Sequence, residues 1–239
     1  MGQITTLLHN IEPDLKAYAG IVIDGSPEWE IEHVKWRALD SKDTRARAMI
    51  FACESALMSG IPQDELPWKL TYSKAERDAN PWIDDFERND LAVTEACLYP
   101  SGERRMIHPM AINGPLCRDV LKTKWRTGVD LGADVELPPG VYVKRLTTRW
   151  MKIAKTGALF AIRGTVHERQ TFAWAMHDLF MCIQPFRDGN SRTARLLLQM
   201  VRRHVGLEPV LLFTSHRETH RDRLKFFRSR IYKQVAPYL

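Results

Sequence analysis

One stretch constrains the fold of this chain more than any other: Cys182-Ile183-Gln184-Pro185-Phe186-Arg187-Asp188-Gly189-Asn190-Ser191-Arg192-Thr193-Ala194-Arg195. It reads as a loop held between two helices. Upstream, Phe172, Met176, Leu179, Phe180 and Ile183 recur at three- and four-residue steps, the period of one apolar helix face. Thr165 and Glu168 have the spacing of a capping box at that helix's start. Pro185 has no backbone N–H and restricts its predecessor, so the helix ends around it. Downstream, Leu196, Leu197, Met200, Val201 and Val205 repeat the helical period, and Gly206 suits the stop.

Gly189, Asn190 and Ser191 therefore stand where the second helix begins. The unpaired N–H groups of a first turn and the positive end of the helix dipole make such a place an anion site. Arg192 and Arg195 are one turn apart and can both lean toward it. Asp188, just before the glycine, is placed to ligate a hard cation beside phosphates. The pattern describes a cradle for a polyphosphate and a metal ion, made of backbone N–H groups, two guanidinium forks and one carboxylate.

These residues resemble the signature of Fic (Fido) proteins, His-Pro-Phe-x-(Asp/Glu)-Gly-Asn-Gly-Arg-x-x-Arg. Pro185, Phe186, Asp188, Gly189, Asn190, Arg192 and Arg195 match it, and His177-x-x-Phe180-x-x-Ile183 resembles the family's lead-in. The resemblance implies an all-α, Fic-like helical bundle with a small β-hairpin flap. It also implies ATP or a related nucleotide with Mg²⁺ as ligands. Gly189, Asn190, Ser191, Arg192 and Arg195 would hold the phosphates, and Asp188 the metal. Two positions depart from the pattern: Gln184 replaces the histidine and Ser191 the second glycine. In the family that histidine deprotonates a target hydroxyl, which attacks the α-phosphorus of the nucleotide. A glutamine amide accepts no proton near neutral pH, and a positioned base is worth roughly 10²–10⁴-fold in rate. Serine, by contrast, suits a helix start, and its N–H is retained unless the position needs positive φ.

A second element resembles the family's inhibitory helix, (Ser/Thr)-x-x-x-Glu-(Gly/Asn), whose glutamate pairs with the signature's second arginine. Residues 41–59 read as a helix, with Ser41 as cap and Gly60 as stop. Within it Ser55 and Gly60 match, while Ser59 replaces the glutamate. Glu54 sits about 140° around the helix and is no substitute. If Ser55, Ser59 and Gly60 form this regulatory element, the pairing for Arg195 is left open. An ordinary helix C-terminus is the alternative reading.

The remaining chain is less specific. The hydrophobic share is 44% and the charged share 27% over 239 residues, which suits a globular chain with a sizeable core. No apolar run reaches membrane-spanning length and the N-terminus lacks a signal pattern, so a cytoplasmic protein, or one delivered to a host cytoplasm as an effector, is expected. Cys53, Cys97, Cys117 and Cys182 are scattered and read as reduced thiols. The net charge of +6 is concentrated late, in Arg202, Arg203 and 216–230. It reads as a basic face beside a nucleotide pocket or as a nucleic-acid surface. Phe226, Phe227, Ile231 and Tyr232 fit a buried helix face better than base stacking, and nucleic acid is not expected as a partner.

Two portions are expected: an N-terminal helical region over 1–100 containing the helix 41–60, and a Fic-like core over 101–239. Residues 1–40 carry a short apolar–polar segment from Ile4 to Ile11, and 61–103 are turn-rich apart from a short helix at Leu91–Leu98. Asp84, Asp85 and Glu87 read as a solvated helix face ahead of a metal site. The stretch 104–139 holds the best strand candidates, Trp125–Gly132 and Val135–Leu137. They resemble the family's flap, on which a protein target docks by strand addition near 125–137; a surface hairpin without a partner is the alternative. A helix over 140–156 puts Val143, Leu146, Trp150, Ile153 and Ala154 at core spacing and ends at Gly157. His177 lies two turns before Gln184, about 10.5 Å of rise, and reads as structural ahead of a replacement base.

Three functional readings follow, with oligomeric state open. The first is a Fic-like nucleotide-binding pseudoenzyme or regulator. The second is an active transferase of altered mechanism moving AMP or another phosphate-linked group onto a protein hydroxyl, with Gln184, Asp188 and Arg192 at its reaction centre. The third is a basic nucleic-acid or protein-binding module that kept only the fold.

Overall fold

Helix after helix packs around one central helix. The computed structural model describes residues 2–21, 43–63, 66, 68, 72–99, 106–117, 125–128, 137–212 and 216–239. In chain order these form α1 (Gly2–Ile21), α2 (Thr44–Met58), α3 (Lys74–Ala79), α4 (Trp82–Phe86), α5 (Ala92–Leu98) and α6 (Pro109–Leu116). They continue with α7 (Val143–Ala161), α8 (Val166–Ile183), α9 (Asn190–His204), α10 (Arg217–Phe226) and α11 (Lys233–Val235). A π-helical turn, Glu87–Leu91, joins α4 to α5, and another, Phe227–Tyr232, joins α10 to α11.

The central helix is α8. Its start is the expected capping box, with Glu168 N–H donating to Thr165 Oγ1 and Thr165 N–H donating to Glu168. From Met176 to Ile183 every residue is buried, polar ones included. Helix α9 covers one side with Leu196, Leu197, Met200 and Val201 at 2% exposure or less, and α7 covers another with Trp150 and Ala154. Trp150 also donates its indole N–H to the Met176 carbonyl at 2.7 Å, so its polar end is satisfied inside the core. Gly206 has φ +75° just past α9, the left-handed stop its position predicts.

The buried ionic centre of the fold also lies on α8. Asp178, fully buried, accepts from Arg223 at 2.9 and 3.0 Å and from the Tyr18 hydroxyl at 2.7 Å. His177 Nδ1 lies 2.7 Å from the same carboxylate, so His177 is the structural histidine expected. Despite its burial, the Arg223 guanidinium holds the Asp178 carboxyl well below the usual carboxylate range. Arg223 also lies 3.9 Å over the Trp174 ring. These contacts bind α1, α8 and α10 into one body. Phe227 and Ile231 are buried as well, in keeping with a packed C-terminal helix face.

Several local expectations change. Helix α7 runs through Gly157 to Ala161. A Cβ at Gly157 would meet the Phe172 ring at 2.6 Å, so this glycine permits close helix packing and does not end the helix. Ile153 is 38% exposed, because Ala154 and Ala158 form the contact face instead. Helix α6 occupies part of 104–139; His108 caps it, accepting from Met110 N–H, and Pro109 fills the first position. Helix α3 has a capping box from Ser73 and Glu76 inside the stretch expected to be turn-rich. Helix α2 is capped by Asp43, while Ser41 lies outside the described residues. Asp84 and Glu87 pair with Arg77, and Asp85 with Arg88, as a solvated charged face would.

Among the described residues no strand forms beyond one antiparallel bridge, Trp125 to Phe186. The expected hairpin's residues 129–136 lie outside the described set. All four cysteines are buried thiols outside any disulfide, and no described helix is long and apolar enough to cross a membrane.

Candidate functional site

The loop between α8 and α9 is fixed from three sides. Gln184 ends α8 in the left-handed conformation, φ +41° and ψ +66°, and it is the one non-glycine with positive φ among the described residues. Such a conformation costs roughly 1–2 kcal/mol for a residue with a Cβ. Arg126 supplies the compensation. Its buried guanidinium donates to the carbonyls of Gln184 at 3.0 Å, Ile183 at 3.3 Å and Pro138 at 2.7 Å, and its backbone N–H donates to Pro185 O at 2.8 Å. One side chain thereby satisfies the orphan carbonyls at the end of α8 and ties residues 125–128 to them. Trp125 stacks on Phe186 with ring centroids 5.3 Å apart.

Asn190 closes the loop on itself. Its amide accepts from Phe186 N–H at 3.0 Å and donates to Phe186 O at 2.8 Å. What it leaves for an anion is its backbone N–H at the start of α9. From the third side, fully buried Asn113 on α6 donates to the Asp188 carbonyl at 2.9 Å and to Thr193 Oγ1 at 3.1 Å. Gly189 is required twice over. Its φ is +72°, and a Cβ there would lie 2.8 Å from both Asn113 Nδ2 and Cys117 Sγ. Ser191 has no positive φ, so the change from glycine leaves the helix N-terminus intact.

The charged side chains divide their work. Asp188 is exposed, and its Oδ1 accepts from Gly189 N–H at 2.6 Å. Arg192 reaches Asp90, on the π-helical turn 87–91, at 3.4 Å. That distance is beyond a good N–H···O bond, so the contact restrains Arg192 only weakly. Arg195 is 3% exposed and is not open, contrary to expectation: α2 sits on it. Arg195 donates to Ser55 Oγ at 2.8 Å, to the Ser55 carbonyl and to Ser59 Oγ at 2.5 Å. Gly60, φ +88°, turns the chain away just after that contact. Ser55, Ser59 and Gly60 are thus gathered at the second arginine, which meets two hydroxyls and a carbonyl there.

None of these partners carries a charge opposite to Arg195. Burial first, then the neighbouring Arg192 and Arg217, push its guanidinium down to about 9, still protonated at neutral pH. Among the described residues no carboxylate pairs with Arg195, and a buried cation beside a helix N-terminus favours a nearby anion. Among the described residues no three metal-ligating side chains converge, so a cation held by Asp188 would share its coordination with ligand oxygens, as Mg²⁺ commonly does.

Sequence reasoning places Gln184, Asp188, Gly189, Asn190, Ser191, Arg192, Arg195, Ser55, Ser59 and Gly60 around one loop and one helix contact. It misses Arg126, Asn113, Asp90 and Arg217. Arg126, Asn113 and Asp90 act from 57 or more residues away and Arg217 from a later helix, and no local spacing marks them.

Residues 149–201, which contain α8, the loop and most of α9, match the model of the Fic/DOC family. No curated protein matches the chain. Among solved structures it is similar to a Fic-domain-containing signaling protein from Bacteroides thetaiotaomicron, at 13% identity and TM-score 0.54, over 96% of this chain and 90% of that one. It is also similar to a Fic family protein from Desulfovibrio desulfuricans, at 15% identity and TM-score 0.52, over 97% and 75%. Fic-1 from C. elegans aligns at 15% identity and TM-score 0.51, over 99% of this chain and 71% of that one. At these identities the structural likeness speaks for the fold, and the family model speaks for the segment that holds the loop. Residues 149–201 thus carry the match to the Fic/DOC family, and the chain as a whole shares the fold of Fic-domain structures.

Proposed function

We propose that the loop binds an ATP-like polyphosphate together with Mg²⁺, and that the protein works as a nucleotide-binding regulator without transferase chemistry of its own. The observation that supports this is Arg195: a buried guanidinium answered, among the described residues, by Ser55 and Ser59, with Arg192 and Arg217 adding to its field. The N–H groups opening α9 and the two guanidinium forks would take phosphate oxygens. Arg192 would leave its long contact with Asp90, and Arg195 would exchange neutral hydroxyls for a charged acceptor. Asp188 would hold the cation, which neutralises phosphate charge when bound.

The missing step is proton removal. Gln184 stands at the position of the family's base and cannot accept a proton. His177, on the same helix, is 1% exposed with Nδ1 committed to Asp178, so it offers no substitute. Calorimetric titration with a non-hydrolysable ATP analogue and Mg²⁺ tests the binding half. We expect saturable binding that weakens at least about tenfold in Arg192→Ala, from the loss of a charge-assisted contact. Equal binding by that variant would refute the assignment.

A further inference from the structure

Away from the loop, a cleft of about 1200 Å³ opens between residues 137–146 and the C-terminal helical run 217–235. No residue of the signature loop lines it. Five cations do: Arg145 on α7, and Arg221, Lys225, Arg228 and Lys233 along the C-terminal run. No Asp or Glu side chain is among its described lining residues. Arg221 has Glu218 as partner at 2.9 Å. Arg228 gives one N–H to Met181 O at 3.1 Å, and its Nε–H has no acceptor. The floor between them is apolar, with Leu137, Leu146, Leu224 and Tyr232. Cys182 also faces the cleft, but burial pushes its thiol up to about 12, so it is no nucleophile.

The cations form a line. Positions 221, 225, 228 and 233 all line the cleft, along a run that is α-helical to Phe226 and π-helical over Phe227–Tyr232, a span of up to roughly 18 Å at the α-helical 1.5 Å per residue. Like charges three and four apart destabilise a helix when nothing opposes them. A single phosphate group would need one cluster of cations; a line this long matches a linear polyanion. The volume, too, exceeds the roughly 300–1,000 Å³ usual for small-ligand pockets. Nucleic acid would ask for a row of flat aromatic platforms, whereas the apolar part of this lining is leucine and proline with two tyrosines. Of its two tyrosines, Tyr142 already has Arg145 5.0 Å over its ring. An extended peptide spans 18 Å with about five or six residues and sends alternate side chains to opposite faces. Carboxylates can then meet the cations while apolar residues meet the floor.

We propose that this cleft receives a short acidic, apolar-anchored peptide segment of a protein partner. It differs from docking on residues 125–137, which would use backbone pairing, because here helix side chains do the recognising. The cleft is wired to the loop. Pro138, on its wall, shares Arg126 with the carbonyls of Ile183 and Gln184, and Arg228 holds the carbonyl of Met181. A bound segment therefore bears on the groups that set the end of α8.

The test is fluorescence anisotropy with the full chain and a labelled peptide of about ten residues alternating glutamate and leucine. A lysine–leucine peptide and a labelled single-stranded oligonucleotide of similar length serve as comparators. The glutamate peptide should bind, weaken as salt rises, and weaken at least about tenfold in the double variant Lys225→Glu/Lys233→Glu. Both lysines are exposed, so that variant should keep its thermal midpoint and its affinity for the ATP analogue. No binding at millimolar peptide, preference for the oligonucleotide, or binding indifferent to the double reversal would overturn the proposal.

Discussion

Replacing Ser59 by glutamate should close the site electrostatically. Ser59 Oγ lies 2.5 Å from the Arg195 guanidinium, and Ser59 itself is exposed, so the longer side chain has room. A hydrogen bond to a charged group is worth about 1.5–3 kcal/mol. Solvent at Ser59 screens part of that, leaving about 1–2 kcal/mol. A triphosphate must break this pairing, so its affinity should fall roughly 5- to 30-fold, taking 1.36 kcal/mol per tenfold. Stability should rise less, by roughly 1 kcal/mol, because a carboxylate at the C-terminus of α2 opposes the helix dipole by about 0.3–1 kcal/mol. The neutral control is Ser59→Gln, of the same length. Calorimetric affinity for the Mg²⁺–ATP analogue and urea denaturation would be measured on all three proteins. Weaker binding with higher stability in Ser59→Glu alone is the expected pattern. Unchanged affinity in Ser59→Glu, or an equal loss in Ser59→Gln, would refute the reasoning that charge at Arg195 governs the site.

Other perturbations have equally definite outcomes. Arg126→Ala leaves the carbonyls of Ile183, Gln184 and Pro138 without their donor and should cost roughly 3–5 kcal/mol in urea denaturation, since each unsatisfied buried group costs about 1–3; a loss under about 1 kcal/mol would mean these carbonyls find water. Burial lowers the His177 and His220 pKa values below 6.5. The folded state then binds fewer protons than the unfolded one, so stability is highest above pH 6.5 and declines as pH falls below it. The slope reaches about 1.4 kcal/mol per pH unit for each histidine. A thermal midpoint flat from pH 7.5 to the onset of carboxylate titration would contradict this.

What the chain spells out locally, it spells out well. Thr165 with Glu168, Pro185 and Gly206 are signals carried within a few residues, and each bounds a helix where expected. Failures came where packing overrides composition. The stretch 104–139 holds the best strand candidates, yet α6 forms within it, with Ile112 and Asn113 fully buried against α9 and the loop. Gly157 looks like a stop, yet its missing Cβ accommodates Phe172. The site was legible as far as it is contiguous. Its supports were not, because the reach of Arg126 from a different segment to the end of α8 leaves no periodic trace. The contact of Ser55 and Ser59 with Arg195 was legible only through the resemblance of Ser55–Gly60 to the family's inhibitory helix.

The central claim is a nucleotide cradle without a base, and a transfer assay tests it most directly. Histidine tolerates the left-handed conformation that position 184 adopts, so Gln184→His should fold and restore a proton acceptor. The unaltered chain and Gln184→His would be incubated side by side with α-labelled ATP, Mg²⁺ and a lysate. The account predicts labelled protein from Gln184→His and none from the unaltered chain. Label transferred by the unaltered chain would contradict it, and so would silence from both.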